Sequence, residues 1–278
     1  MLVNFSEILA AARRDKYAAG SFNVYNYETI RGVTEVACEL GLPAIVAFGE
    51  NYLPNMDLDE VAALVKTRAS KANVPLVLHL DHCKSFDNIM RAIRAGFTSV
   101  MYDGSSLSLA ENTRRTADIV KIAHAVGVSV EAELGALASG DFTNEDGGEE
   151  IYTNPLQAEE FVTKTGVDAL AVSVGTVHGM YKGEPRVDIG VLKKIAALVE
   201  IPLVLHGGSG TPESIIHECI RNGIAKINVN TEISMFTMDK VEALLASGKK
   251  PHFSQVCLKE VDAVKEVVKK YTAIFRSA

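Results

Sequence analysis

Three histidines at the ends of predicted strands are the first candidates for chemistry. His82, His178 and His206 lie in the segments LDHCKS, GTVHGMY and LHGGSG. Three imidazoles from separate segments can supply the protein ligands of an open catalytic zinc site. We therefore expect these histidines to bind one metal ion. The remaining histidines include His79 inside a strand, and surface or packing roles are expected for those in helical and C-terminal segments, His124, His217 and His252.

Carboxylates accompany the first of these histidines. Asp81 directly precedes His82, and strict alternation would point the two side chains to opposite faces of a strand. Both therefore reach one site only if His82 lies past the regular strand. Glu131 and Glu133 of VEAEL share a strand face and, if buried, need partners such as histidines or a metal. A helix cap for Asp81, and a structural polar layer for the two glutamates, remain open alternatives.

Two segments have the composition of phosphate sites. HGGSGTPES, residues 206–214, places a Gly-rich turn before a predicted helix, where free backbone amides and the helix N-terminus attract an anion. INVNT, residues 227–231, ends the last predicted strand with amide and hydroxyl side chains. Phosphate sites after strands seven and eight recur in α/β barrels.

These residues sit in a regular alternation of short apolar runs and longer amphipathic segments. Eight runs predict strands: 20–24, 43–48, 74–81, 97–103, 128–134, 167–174, 201–206 and 224–230. Helical spacing between them favours a (β/α)₈ TIM barrel, an α/β fold, in a single domain spanning residues 1–278. The candidate residues would then meet at the C-terminal face of the barrel. The long loop 135–155 follows the fifth strand and would lie on the same face.

The motifs together resemble the class II, metal-dependent ketose-bisphosphate aldolases, a family that includes fructose- and tagatose-bisphosphate aldolases. The matching segments run in register over nearly the whole chain: LHLDH (78–82), SVEAELG (129–135), GTVHGMYKGEP (175–185), PLVLHGGSG (202–210) and AKINVNTE (225–232). The resemblance implies that His82, His178 and His206 bind Zn²⁺ and that Asp81 is the acid/base. Glu133 matches a carboxylate associated with an alternative metal position.

The resemblance also implies substrate contacts. Residues matching the pocket for the phosphate of dihydroxyacetone phosphate are Gly179, Gly207, Ser209, Asn230 and Thr231, and those near the enediolate are Asn23 and Asn228. Backbone around Val177, Gly179 and Gly207 matches a monovalent-cation site for Na⁺ or K⁺. In the loop after strand five, Asp141 is the residue assigned to move the proton on the dihydroxyacetone-phosphate carbon, with Glu145 and Asp146 as neighbours.

Two departures from the family pattern concern the aldehyde half of the substrate. Bisphosphate members commonly carry a C-terminal Arg that reaches a neighbouring subunit and holds the distal phosphate. The corresponding stretch here, residues 249–261, contains Pro251 and His252 but no Arg. Gly49 stands where many members have Ser. We expect a weakened preference for phosphorylated aldehydes, unless Lys249 or Lys250 from a second copy of the chain replaces the Arg.

Composition limits the other function classes. The formal net charge is −7 without long charge runs, which argues against nucleic-acid or anionic-membrane partners. No apolar run reaches the length of a membrane span, and the N-terminus lacks the apolar core of a secretory signal. The four cysteines are widely spaced, which is typical of reduced thiols and of a cytoplasmic protein. Symmetric association, as a homodimer or homotetramer, is common for such barrels.

The sequence therefore predicts a zinc-dependent aldolase that reversibly cleaves a ketose 1-phosphate or 1,6-bisphosphate into dihydroxyacetone phosphate and an aldehyde, through a metal-stabilised enediolate. Alternatives are a metal-free sugar-phosphate isomerase or a lysine aldolase on the same barrel, and a non-catalytic phosphosugar-binding subunit. No lysine lies in the sixth strand, so Lys226 in the eighth is the nearest rival nucleophile.

Overall fold

Short apolar strands of the chain pair side by side into a closed parallel barrel. The structure is a computed structural model that describes residues 1–144, 151–248 and 250–278. Its strands are β1 (Ala19–Asn23), β2 (Ala44–Gly49), β3 (Leu76–Cys83), β4 (Ser99–Tyr102), β5 (Ser129–Leu134), β6 (Ala138–Ser139), β7 (Ala169–Val172), β8 (Val177–His178), β9 (Leu203–Leu205) and β10 (Ile224–Val229). The barrel runs β1-β2-β3-β4-β5-β7-β9-β10 and closes by pairing β10 with β1.

Helices follow the strands and cover the outside of the barrel. They are α1 (Phe5–Asp15), α2 (Tyr27–Leu40), α3 (Leu58–Ala69), α4 (Phe86–Ala95), α5 (Leu109–His124), α6 (Pro155–Thr165), α7 (Ile189–Leu198), α8 (Glu213–Arg221), α9 (Thr231–Leu245) and α10 (Phe253–Arg276). Side chains at most of their N-caps satisfy the first free amides, as Asn26 does for α2 and Asp57 for α3. No helix in the described ranges is long and apolar enough to cross a membrane.

The expected (β/α)₈ barrel is confirmed, and all eight predicted strands are present in it. Two features differ from the prediction. A separate two-stranded sheet pairs β6 with β8 outside the barrel, in strands of two residues that are too short for a periodic pattern. Helix α1 precedes the first strand, and its apolar side chains Phe5, Ile8 and Leu9 pack against inward-facing barrel residues such as Ile45 and Val77.

The barrel interior is divided into an apolar end and a polar end. Near α1 the inward residues are apolar, and they are joined by Phe5, which is fully buried. Its ring centroid lies 4.9 Å from the imidazole of His79 and 5.7 Å from the ammonium group of Lys226. Beyond that contact the inward positions carry charged and polar side chains. The packing of α1 therefore separates this polar interior from the N-terminal end of the barrel.

We expect Phe5→Ala to destabilise the protein by about 3–5 kcal/mol, because it leaves a cavity beneath a buried polar layer. The exposed Phe253 gives a matched control, with 76% of its surface accessible. Phe253→Ala should change stability by about 0.5 kcal/mol or less. Denaturant midpoints of the two variants measure the difference, and equal losses would contradict this role for α1.

Candidate active site

Three imidazoles meet at the C-terminal end of the barrel. His82 lies on β3, His178 on β8 and His206 directly after β9. One ring nitrogen from each lies within 4.8 Å of the others, and His82 Nε2 is 2.7 Å from His206 Nδ1. Burial, followed by the nearby charge of His82, lowers the pKa of His206, which favours the neutral ring that binds metals. The structure thus brings together the three residues that the sequence singles out as metal ligands.

The backbone of His82 explains how adjacent residues reach one site. We expected His82 to lie past the regular strand, but β3 continues through it to Cys83. His82 instead adopts a left-handed conformation, with φ of 45°, and the pairing of β3 with β4 shifts between Leu80 and Cys83. This irregularity interrupts the alternation of side chains. Asp81 and His82 therefore both face the site.

Glu50, which is not among the residues predicted from the sequence, stabilises the turn after His82 through hydrogen bonds. Its carboxylate accepts hydrogen bonds from Cys83 Sγ at 3.2 Å, from the backbone amide of Lys84 at 2.9 Å and from Asn88 Nδ2 at 2.8 Å. Burial opposes ionisation of Glu50, but these donors lower its pKa overall. The sequence contains no local signal for this contact, because the partners lie more than 30 residues away.

Asp81 is almost fully buried, and its carboxylate is held by side chains of β1 and β10 across the barrel. Asn23 Nδ2 donates to its carboxylate at 3.0 Å, and Asn228 Nδ2 donates at 3.2 Å. Burial alone would raise the pKa of Asp81. The nearby His79 side chain, whose Nε2 lies 3.6 Å from the carboxylate, and the charges of His82 and Lys226 outweigh burial and hold that pKa well below its usual value. The side chain is thus an ionised acceptor beside the histidines rather than a helix cap, since Ser85 caps α4.

A buried ion pair supports His206 from inside the barrel. Glu131 Oε1 lies 2.9 Å from His206 Nε2, and Glu131 Oε2 lies 2.8 Å from Lys226 Nζ. Burial opposes ionisation of Glu131, but Lys226 and the bond to His206 lower its pKa to about 2. An ionised Glu131 accepts a hydrogen bond from His206 Nε2–H, which leaves Nδ1 directed at His82.

Glu133 lies in a second cluster next to His82. Its Oε2 is 3.8 Å from His82 Nδ1, and Asp103 Oδ2 is 3.2 Å from the same nitrogen. Burial and the nearby Asp103 carboxylate raise the pKa of Glu133 well above its usual value. Within the described ranges, Glu133 Oε2 has no hydrogen-bond partner. Asp103 was not anticipated, although its position at the end of the predicted fourth strand was an available signal.

The predicted phosphate residues border a small cavity between the ends of β9 and β10. Its lining consists of His178, Gly179, His206, Gly207, Ser209, Asn228, Asn230 and Thr231. Gly207 has a φ of 74°, and a Cβ there would lie 2.3 Å from the carbonyl oxygen of Val177. Ser209 Oγ accepts a hydrogen bond from the amide of Glu232 in the first turn of α9. The cavity combines a tight glycine turn, hydroxyl groups and a helix N-terminus.

Asp141 is placed differently from the other candidates. Its backbone pairs with Met180, close to Gly179, but its side chain is 54% exposed and lies 3.3 Å from Lys182 Nζ. The neighbouring candidates Glu145 and Asp146, and also Lys249, lie outside the described residues. The loop therefore reaches the rim of the site, with the Asp141 carboxylate directed at a lysine.

Comparison with known proteins agrees with this arrangement. The family description "Fructose-bisphosphate aldolase class-II" matches residues 3–278. The chain belongs to the class II fructose-bisphosphate aldolase family. It is an aldolase, a lyase that acts on a carbon–carbon bond.

Solved aldolase structures resemble this aldolase along almost its whole length. The YdjI aldolase from Escherichia coli K12 is 35% identical, with a TM-score of 0.89, and the match covers 99% of this chain and 97% of that one. A Coccidioides immitis protein assigned as a fructose-1,6-bisphosphate aldolase is 29% identical, with a TM-score of 0.88 and coverage of 99% and 96%. Fructose-bisphosphate aldolase from Campylobacter jejuni, at 23% identity, TM-score 0.83 and coverage of 99% and 95%, shares the fold.

His124, His217 and His252, and a cavity larger than the phosphate cavity, lie away from this cluster. His124 pairs with Asp168, His217 contacts the carbonyl of Ile274 and His252 caps α10. A cavity of about 670 Å³ lies at the opposite end of the barrel, between α1, α7 and α8. It contains none of the buried acid and base groups described above, so size alone does not identify the site.

We expect Lys226→Met to destabilise the aldolase by about 3–5 kcal/mol, because it leaves the buried Glu131 charge with the neutral His206 ring but without its cationic partner. Lys164→Met is the matched control, since Lys164 forms an exposed helical pair with Glu160 and should contribute about 0.5 kcal/mol or less. Denaturant unfolding measures both. If the double variant Lys226→Met/Glu131→Gln regains stability, the uncompensated Glu131 charge is the cause of the loss. If Lys226→Met has the same free energy of unfolding as the wild type, the stabilising role of the ion pair is contradicted.

Proposed function

We propose that this protein is a zinc-dependent aldolase that reversibly cleaves a ketose 1-phosphate or 1,6-bisphosphate into dihydroxyacetone phosphate and an aldehyde. The observation that carries the proposal is the convergence of three imidazoles beside a buried, ionised Asp81. The match to residues 3–278 supports treating residues 1–278 as a single aldolase domain.

The donor set fits a zinc ion. His82, His178 and His206 supply three nitrogen donors, the number that open catalytic zinc sites use, and zinc dependence is general in this family. Glu133 adds a carboxylate near His82, with a raised pKa and no hydrogen-bond partner for its Oε2 within the described ranges. A cation bound at an alternative position beside it would supply that oxygen with a partner. When bound, zinc acts as a Lewis acid for the negative charge that develops on the ketone oxygen during cleavage.

Asp81 takes the proton of the C4 hydroxyl during cleavage and returns it to the aldehyde during synthesis. Asn23 and Asn228 fix the direction of its carboxylate. The side-chain oxygens Asn23 Oδ1 and Asn228 Oδ1 are buried, and neither has a hydrogen-bond partner within the described ranges. They are therefore suited to accept hydrogen bonds from substrate hydroxyls next to Asp81.

The phosphate of dihydroxyacetone phosphate binds in the small cavity, where Gly179, Gly207 and Ser209 face Asn230 and Thr231. A Na⁺ or K⁺ ion at the backbone around Val177, Gly179 and Gly207 would balance part of its charge. We assign the proton transfer on the neighbouring carbon to Asp141, which requires its carboxylate to leave Lys182. The loop reaches the rim of the cavity at Gly179, which supports that assignment.

We further propose a cytoplasmic, symmetric homodimer or homotetramer. The four cysteines are free thiols, which is compatible with a reducing compartment. Of the alternatives, a lysine aldolase would need Lys226 as nucleophile. Lys226 is fully buried and paired with Glu131, which argues against a Schiff base. Borohydride reduction in the presence of substrate would trap a Schiff base on Lys226 and therefore tests this alternative.

We expect His178→Ala and His206→Ala to lose bound zinc together with cleavage activity, because two remaining imidazoles do not hold the ion. Metal analysis of the purified variants measures this directly. His124→Ala is the control, since His124 pairs with Asp168 away from the site. Full zinc occupancy in either active-site variant would remove that histidine from the metal shell.

We expect Asp81→Asn to retain fold and zinc but to lose about 10²–10⁴-fold in kcat, since an amide cannot accept the C4 proton. Steady-state cleavage kinetics combined with metal analysis test this. Turnover near that of the wild type would assign the base elsewhere.

A further inference from the structure

A second, larger cavity lies next to the phosphate cavity. Its volume is about 380 Å³, and it is lined by residues that follow β1, β2 and β10, including Tyr25, Tyr52, Asn55 and Ser234, and by residues 142–144 of the loop after β6. It shares Asn230 and Thr231 with the phosphate cavity, so the two spaces adjoin. Within the described ranges, every side chain lining it is uncharged. Residues 145–150, which follow Asn144 in the chain, include four acidic residues and no Lys or Arg.

The position of Asp81 relates this cavity to the reacting carbons. Asp81 pairs in register with Gly49, the last residue of β2. If Asp81 accepts the C4 proton, as the proposed function requires, the carbons beyond C4 lie near the end of β2. Tyr52 is in the short helical turn that begins there. The chain of the aldehyde would therefore enter the uncharged cavity.

Gly49 leaves the space that Tyr52 fills. A Cβ at position 49 would lie 3.2 Å from two carbons of the Tyr52 ring, closer than such contacts normally are. The ring packs edge-on against Tyr25, with centroids 4.7 Å apart. Its hydroxyl accepts from Asn230 Nδ2 at 2.9 Å and donates to Asn144 Oδ1 at 3.2 Å. Tyr52 is thus fixed as a wall of the cavity by three separate segments.

We propose that this cavity binds the aldehyde portion of the substrate, that its substrates are uncharged polyhydroxylated aldehydes, and that Tyr52 is a specificity-determining residue. A dianionic phosphate would lose hydration there without gaining a cationic partner from the described residues that line the cavity. Amide and phenol groups, in contrast, match the donors and acceptors of sugar hydroxyls. A site built for hydroxyl groups discriminates strongly between polar and apolar analogues.

The test compares kcat/KM for condensation of dihydroxyacetone phosphate with glyceraldehyde and with glyceraldehyde 3-phosphate. In the wild-type holoenzyme we expect the two values to lie within about tenfold, a difference of about 1.4 kcal/mol. Asn55→Lys introduces a cation into the exposed wall of the cavity and should raise the ratio in favour of the phosphorylated aldehyde by about tenfold or more. Thr67→Lys adds the same charge to the exposed face of α3, outside the cavity lining, and should leave the ratio unchanged.

A second comparison addresses Tyr52. Tyr52→Phe should lower kcat/KM for glyceraldehyde relative to propionaldehyde by about threefold or more, because the ring remains while the hydroxyl is lost. Since each result is a ratio between two aldehydes, effects on dihydroxyacetone phosphate cancel. An unchanged ratio in Tyr52→Phe would remove Tyr52 as a specificity residue.

Solvent exchange of the dihydroxyacetone-phosphate carbon proton separates this inference from the proposed function. If the wild-type enzyme catalyses exchange but prefers glyceraldehyde 3-phosphate by more than about tenfold, or if Asn55→Lys leaves the ratio unchanged, the inference about the aldehyde is wrong and the aldolase proposal stands. If the zinc-loaded enzyme catalyses neither exchange nor condensation, the proposed function fails and the inference fails with it.

Discussion

A fully buried ion pair between Lys226 and Glu131 constrains the rest of the site. Either charge alone would cost several kcal/mol at that depth, so β5 and β10 must keep the positions that pair them. Glu131 also orients His206, and His79 lies 3.7 Å from Glu131 and 3.6 Å from Asp81. The orientation of His206 and the charge state of Asp81 are thus both linked to the Lys226–Glu131 ion pair inside the barrel.

Asp81 and Glu133, two of the carboxyl groups near His82, differ in pKa because their neighbours differ. Asp81 is surrounded by amide and imidazole groups that favour the anion, so its pKa is depressed despite burial. Glu133 faces Asp103, with Glu131 and Asp81 nearby, and its pKa is raised. The two pKa values are thus shifted in opposite directions, which gives the two carboxyl groups different chemistry. Asp81 is held as an ionised hydrogen-bond acceptor, whereas ionisation of Glu133 would be favoured by a nearby cation.

The barrel and most of the site were predictable because they depend on local pattern. Apolar runs located the strands, and residues such as His206 and Asn228 could be placed at strand ends by counting. The left-handed backbone at His82 and the hydrogen bonds to Glu50 could not be predicted. The first depends on how β3 pairs with β4, and the second on contacts between residues more than 30 positions apart. Asp141 illustrates a further limit, since counting along a loop gives no information about a side chain that contacts Lys182.

The small sheet formed by β6 and β8 joins the loop after β5 to the segment of His178. Ser139 pairs with His178, and the amide of Gly140 donates to the carbonyl oxygen of His178 at 2.5 Å. The loop cannot be displaced here without disturbing the backbone of a metal-type histidine. Loop position and the geometry of the three-histidine cluster are therefore linked through one short stretch of backbone pairing, so the strength of that pairing limits how far the two can move independently.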